Sequence, residues 1–367
     1  MTRRPDRRAV EAAARRPFSL PYHPLFRFYD GGSLTRQFRD LPPNGDDHWS
    51  EDWVGSCTVA GNPAPDGTPQ GLSVTDVDSL GRVPLQALID VAPETMVGAA
   101  FAAQWGPTSG VLVKLLSPAR QVPLHAHPTR AWARQHLGSR FGKTEAWIIL
   151  DAPGDGREPA YAGIGFRPGI DRAAFQTAVR GHDQPAVRST LHRFEVAAGE
   201  VYVAHGGVPH YLGPRISFIE IQEPTDQIVI AETDGADDAG ATMGLGWDLA
   251  LDMIDYEATD RAATLTRARQ GPRVLRESRG SREIRLFQDD VGEFFDATRL
   301  EVDGEIAVED GRFSIGIVTR GSGTLEGDFG SMPVQHGETF ACAASMAHRF
   351  RSGAEPLTVV RCLGPRV

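Results

Sequence analysis

The spacing of apolar residues changes character several times along the chain, and each change marks an element. Between Pro84 and Gln104, Leu85, Leu88, Ile89, Met96 and Phe101 recur at helical spacing. Pro93 divides that stretch into two short helices, because proline can open a second helix but cannot continue the first. Val111–Leu116 is almost continuously apolar around a single lysine, Lys114, and reads as a strand. Ala146–Leu150, residues 161–167, Phe194–Val203 and Ile216–Gln222 read as further strands. Thr129–Leu137 is a short helix or turn. Asp171–Arg180 is a helix, with Asp171 as cap and Ala173, Phe175 and Val179 on one face. Trp247–Tyr256 shows helical spacing through Leu249, Leu251 and Ile254. From Arg285 onward alternation returns at Phe313–Val318, Gly323–Glu326, Thr339–Cys342 and Leu357–Cys362. Residues 17–60 have little helical period, 61–76 read as loop, 232–246 as an acidic loop and 268–282 as a linker. Short strands with helical inserts predict a mainly β sandwich or barrel class.

Composition narrows the function classes. The 367 residues suffice for two core-bearing domains, and a net charge of −10 argues against nucleic acid as a partner. Cys57, Cys342 and Cys362 are few, odd in number and without CxxC spacing, so the expectation is no disulfide framework and a reducing cytoplasm. No run approaches the roughly eighteen apolar residues of a membrane helix. The first sixteen residues, MTRRPDRRAVEAAARR, read as a frayed surface helix. Asp6 and Glu11 argue against a targeting peptide.

The candidate chemistry lies at His125, His127, Glu145 and His210. Residues i and i+2 of a strand share a face, so the two neighbouring histidines can reach one ion. Glu145, in KTEAWIIL, adds an oxygen, and His210 closes the Gly-bounded segment GEVYVAHGGVPH. Three imidazoles and a carboxylate suit one divalent ion of zinc type, with manganese, cobalt and iron as alternatives, and leave a position for substrate. Lys143 precedes Glu145 by two and points to the same face. Glu220, flanked by Ile219 and Ile221, is a carboxylate whose burial would raise its pKa and suit it to acid/base work.

These residues also carry a resemblance. Gly199–His210 is similar to the second cupin motif, and LVKLL, HAHPTRAWA and GKTEAW resemble the motifs of the type I phosphomannose isomerases, from about residue 28 to the last residue. Tyr29–Leu34 and Glu51–Asp52–Trp53 are similar to that family's W-G-G-x-x-L and E-S-W segments. The resemblance implies two cupin barrels with short helical inserts and an interdomain helix. It divides the chain into an N-terminal extension at 1–27, a metal-binding barrel at 28–231, a helical and loop connection at 232–282 and a metal-free barrel at 283–367. It implies an aldose–ketose isomerase acting on mannose 6-phosphate and fructose 6-phosphate, or on a related sugar without phosphate, through an enediol(ate). Lys143 and Glu220 would be catalytic. Trp53, Lys114, Ser117, Arg130, Arg134 and Asp226 would face substrate.

Departures from the pattern keep two other classes open, a cupin oxygenase and a non-catalytic sugar sensor. His125 stands where the family has glutamine, Thr129 and Arg130 where it has two aspartates, and His205 where it has the proline of the cupin turn. Ile230 stands where the family has an arginine, a charge that Arg130 or Arg134 could replace if either points inward. Gly337 precedes His348 by eleven residues, as Gly199 precedes His210. With no His-x-His pair or matching glutamate nearby, the second barrel is expected to hold no metal, and His348 to be a hydrogen-bonded surface or turn residue. The expected partner is a small sugar or sugar phosphate, with neither nucleic acid nor membrane.

Overall fold

The computed structural model describes residues 5–156 and 158–367. The strand pairs within its sheets are antiparallel, and four larger sheets face one another in two pairs. In the first pair a six-stranded sheet runs in the order Val201–Ala204, Glu145–Asp151, Ser217–Gln222, Leu112–Leu116, Glu51–Val54 and Pro24–Leu25. Opposite it lie Leu191–Glu195, Tyr161–Phe166, His210–Leu212, His125–Ala126 and Val229–Ile230. In the second pair a seven-stranded sheet is built around Ser314–Arg320 and Leu357–Leu363, and a four-stranded one around Ser322–Gly327 and His348–Ser352.

Both faces of the six-stranded sheet are covered, which is why its strands read as continuous apolar runs. Leu116, Trp147, Ile149 and Phe218 point into the first barrel against Ala162, Ile164 and Leu212. The alternate residues Val113, Leu115, Ile148 and Ile219 point outward. There they share one core with Ile315, Ile317 and Val360 of the seven-stranded sheet, and with Leu85, Leu88 and Met96 of the helices Leu85–Val91 and Pro93–Val97. The two barrels are thus joined through a common apolar layer.

Several local signals have the physical form the sequence implies. Thr129 and Asp171 cap their helices by accepting from the backbone N–H of Trp132 and Ala174. Pro93 opens the helix Pro93–Val97 after Leu85–Val91 has ended. Three readings need correction. Phe194–Val203 is two strands, because the chain turns at Gly199 (φ +86°) between Glu195 and Val201. The stretch 268–282, read as a linker, contains Arg273–Ser278, which forms a hairpin with Ser281–Arg285 and extends the C-terminal sheet backward. That strand is exposed along its length, so it carries no alternation of apolar and polar residues to reveal it.

The third correction concerns residues 5–27, since residues 1–4 of the expected N-terminal extension lie outside the described residues. Phe18–Ser19 pairs with Phe340–Ala341 as an edge of the seven-stranded sheet, while Pro24–Leu25 pairs with Glu51–Asp52 in the six-stranded one. This segment is therefore woven into both barrels. Even Val10, on the helix Arg7–Ala13, is fully buried in the shared core. Two-residue pairings are too short to leave a period in the sequence. Among the described residues no helix is long and apolar enough to cross a membrane.

Because Phe18 is buried in the shared core, Phe18→Ala is expected to lower unfolding free energy by about 3 kcal/mol. Chemical denaturation checks this, and a loss under about 1 kcal/mol would mean that the N-terminal strand is not an integral edge of the sheet.

Candidate metal centre

The six-stranded sheet lays a polar row across the barrel interior. Register pairs Trp53 with Lys114, Lys114 with Glu220, Glu220 with Trp147, and Trp147 with Tyr202. Glu145 lies two residues before Trp147 on the same face, and Trp147 Nε1 donates to its Oε1 at 3.0 Å. The opposing sheet brings His125 into register with both His210 and Ile230. The ring centroids of His125 and His210 are 4.3 Å apart, and each lies 5.0 Å from that of His127. One donor atom from each of His125, His127, Glu145 and His210 falls within 4.8 Å of the others, and all four residues are buried.

The hydrogen bonds reveal what this cluster can accept. The Nδ1 atoms of His125, His127 and His210 face the carbonyls of Pro123, Gln227 and Val208 at 2.7, 2.8 and 2.9 Å. A carbonyl can only accept, so each Nδ1 carries the proton and each Nε2 presents a lone pair. Two of these lone pairs face a carboxylate, His127 Nε2 at 2.9 Å and His210 Nε2 at 3.1 Å from Glu145. Acceptor against acceptor at this range is repulsive unless a cation lies between them. His210 Nε2 and Glu145 Oε2 are buried without a hydrogen-bond partner. The spacing is close to the roughly 3.3 Å edge of a tetrahedron with bonds of about 2.0 Å. The four residues therefore fit a divalent ion, with backbone carbonyls orienting the imidazoles behind them.

The glycines of the adjoining loops make the close approach feasible. A Cβ on Gly142 would lie 2.4 Å from the Pro128 carbonyl oxygen, and one on Gly206 would lie 2.7 Å from it. Lys143 N donates to that same oxygen, and Gly207 N donates to the His127 carbonyl. The two loops thereby clamp the segment that follows His127.

Electrostatics agree with an ion-binding role. Burial, the facing histidines and nearby Lys143 hold His125 well below its usual pKa. Burial and Lys143 bring His127 down to about 3, so both rings are neutral near pH 7. Burial would raise Glu145, but Lys143, His127 and His210 outweigh it and keep the carboxyl well below its usual range. Lys143 Nζ donates to His127 Nε2 at 3.1 Å and lies 3.2 Å from Glu145 Oε2.

Next along the row, Lys114 Nζ pairs with Glu220 Oε1 at 2.8 Å. Burial, helped by the charge of Glu145, raises the Glu220 pKa against the pull of Lys114. For Lys114, burial pulls downward, but Glu220 and Glu51 prevail and keep the ammonium charged. Trp53 is fully buried, with Lys114 Nζ 5.1 Å from its ring centroid and its indole N–H on Glu51 at 2.7 Å. Asp226 is held at both oxygens by Arg27, with Gly61 N donating to one of them.

The remaining substrate-facing candidates are engaged elsewhere or exposed to solvent. The Ser117 hydroxyl accepts from Thr35 N and Thr35 Oγ1, tying the helix Ser33–Phe38 to the barrel. Arg130 pairs with Glu223, donates to the Glu293 carbonyl at 3.0 Å and lies over the Trp105 and Phe294 rings at the seam with the second barrel. It is not a free replacement for the charge missing at Ile230. Arg134 is exposed on the last turn of the helix Arg130–Leu137. His348 is hydrogen-bonded as expected, with Nδ1 donating to the Met346 carbonyl, but it is buried at the start of a strand rather than at the surface or in a turn. Sequence reasoning missed Arg27, the contact of Tyr29 with Glu51 and the central role of Glu51. Glu51 lies in the E-D-W segment and was open to notice, but Arg27 lies in a stretch without period.

A two-barrel cupin with a buried three-histidine, one-carboxylate cluster is the class that fold and site define. No protein-family profile matches the chain. It is 25% identical over 238 residues to YvyI of Bacillus subtilis (strain 168), provisionally named a mannose-6-phosphate isomerase, covering 64% of this chain and 69% of YvyI. It is 25% identical over 187 residues to the mannose-6-phosphate isomerase of Streptococcus mutans serotype c (strain ATCC 700610 / UA159), covering 51% and 55%. The crystal structure of the mannose 6-phosphate isomerase from Bacillus subtilis superposes with a TM-score of 0.73 at 20% identity, over 94% of this chain and 99% of that one. A zinc-bound mannose 6-phosphate isomerase structure does so with a TM-score of 0.70 at 12% identity, over 95% and 100%. The chain is thus similar in sequence to mannose-6-phosphate isomerases and shares the fold of their solved structures.

The neutral buried histidines make a prediction for the ion-free protein. Their folded pKa values lie below the unfolded 6.5, so their contribution is complete above that value and is lost as pH falls toward about 3. In excess chelator the melting temperature is expected to fall as pH drops from about 6.5 to 4.5, before exposed carboxylates titrate. A flat or rising melting temperature in that window would contradict neutral, buried imidazoles.

Proposed function

We propose that the chain is a zinc-dependent aldose–ketose isomerase that interconverts mannose 6-phosphate and fructose 6-phosphate or a closely related sugar. The observation that carries this reading is the convergence of an ion-ready cluster, Lys143 and the Lys114–Glu220 pair in one buried barrel interior. His125, His127, Glu145 and His210 would hold the ion. When bound, it supplies fixed positive charge for the negative charge that develops on the substrate oxygens.

The chain's own groups would manage the protons. Going from aldose to ketose, the hydrogen on C2 moves to C1, the O2 hydroxyl proton leaves and O1 gains a proton. Glu220 is suited to carry the carbon-bound proton, because burial raises its pKa and Lys114 steers its carboxylate. Lys143 has an ammonium beside Glu145 and His127 and can exchange a proton with the substrate oxygens. Trp53 forms an apolar wall between the cations of Arg27 and Lys114. The three cysteines are free, with Cys342 and Cys362 buried, which suits a reducing cytoplasm.

Purified protein of known zinc content is expected to interconvert the two sugar phosphates in an NMR assay, and to stop when a chelator removes the ion. Glu220→Gln is expected to lower kcat by about 100- to 10,000-fold with zinc content unchanged. Metal binding without turnover across a panel of phosphorylated and free aldoses and ketoses would overturn the isomerase reading and favour a sensor. Iron content with dioxygen uptake would favour an oxygenase instead.

A further inference from the structure

Arg27 is a buried guanidinium that touches two carboxylates of the barrel interior at once. Its Nε donates to Glu51 Oε1 at 3.1 Å, and its two terminal nitrogens grip Asp226 at 2.9 and 3.1 Å. Nη1 also donates to Asn62 Oδ1 at 2.8 Å. Glu51 in turn accepts from Tyr29 and Trp53, both at 2.7 Å, and its Oε2 stands 3.7 Å from Lys114 Nζ. Lys114 spends its short contact, 2.8 Å, on Glu220. A continuous relay therefore runs from Asp226 through Arg27, Glu51 and Lys114 to Glu220.

The distances indicate what the guanidinium does. Glu51 and Lys114 are close enough to pair, yet Lys114 favours Glu220 because Arg27 has already met the charge of Glu51. Removing Arg27 would leave Glu51 and Asp226 without their main counter-charge in a buried site, and Lys114 would be drawn from Glu220 toward Glu51. Lysine cannot reproduce this arrangement, since only a planar fork reaches both carboxylates together. We propose that Arg27 is a positioning residue that releases Lys114 to Glu220. This rests on the isomerase reading.

The test compares Arg27→Met and Arg27→Lys, each assayed for kcat, KM, zinc content and melting temperature. Zinc-loaded, folded Arg27→Met is expected to lose about 100-fold in kcat, with KM changed less than about threefold. Arg27→Lys, which keeps the charge and reports the same loss if Arg27→Met does not fold, is expected to recover less than about a tenth of wild-type kcat. A purely structural Arg27 would lower kcat only in step with melting temperature and zinc content, so the loss is expected with both unchanged. Folded Arg27→Met or Arg27→Lys within about threefold of wild-type kcat would overturn the proposal, as would a loss that merely tracks melting temperature. In both cases an active wild type leaves the isomerase reading standing. An inactive wild type would overturn both.

Discussion

Glu145 faces two imidazole nitrogens whose remaining electrons are lone pairs, and that repulsion is the constraint on which the site is built. It arises because the opposite ring nitrogens of all three histidines donate to backbone carbonyls. The backbone thus decides the tautomers, the tautomers decide that only acceptors point inward, and an inward set of acceptors calls for a cation. Lys143 meets part of that need from within the chain. The rest is a divalent ion's charge. The two facing sheets are what make the geometry possible, since the carboxylate comes from one and the imidazoles from the other.

Around this centre the barrel keeps an unusual number of charges out of water. Glu51, Lys114, Glu220, Asp226 and Arg27 are all buried, and each survives there only because it has a partner of opposite sign within hydrogen-bonding range. Burial pushes both Glu220 and Asp226 upward, and Glu220 stays above its usual value, whereas Arg27 and the nearby lysines outweigh burial and hold Asp226 below its own. Two carboxylates a few residues apart in sequence are thereby given opposite tendencies, one toward holding a proton and one toward staying ionised. The difference lies in the partner, since Asp226 has a guanidinium on both oxygens and Glu220 has a single ammonium.

Among the described residues, the second barrel brings no comparable histidine and carboxylate cluster together. His348 occupies the offset from Gly337 that His210 has from Gly199, and both rings donate from Nδ1 to a carbonyl two residues earlier. Where the first barrel surrounds its histidine with two more imidazoles and a carboxylate, this one places Arg361 nearby, bound to both oxygens of Asp310. A guanidinium repels a metal ion. Burial, partly offset by the bond to the Met346 carbonyl, brings His348 down to about 4, so the ring stays neutral as a packing residue.

Much of this was readable in the chain itself. The i, i+2 spacing of His125 and His127, the Gly199-to-His210 offset and the apolar strands around Lys114 and Glu220 depend on strand geometry, which acts over a few residues and leaves its period in the sequence. Helix caps at Thr129 and Asp171 are local for the same reason. What the sequence could not show depends on contacts between distant segments. Arg27 and Asp226 are 199 positions apart, and Phe18 meets a strand more than three hundred residues later. No periodicity encodes such pairings, because they arise from how complete sheets pack. Ser117 and Arg130 follow the same rule, since their polar atoms are committed to Thr35, Glu223 and Glu293 by tertiary neighbours. The chain determined which groups can bind an ion. Only the folded barrels decided which of its charges are left free to act, because a buried charge is defined by whatever partner the packing brings to it.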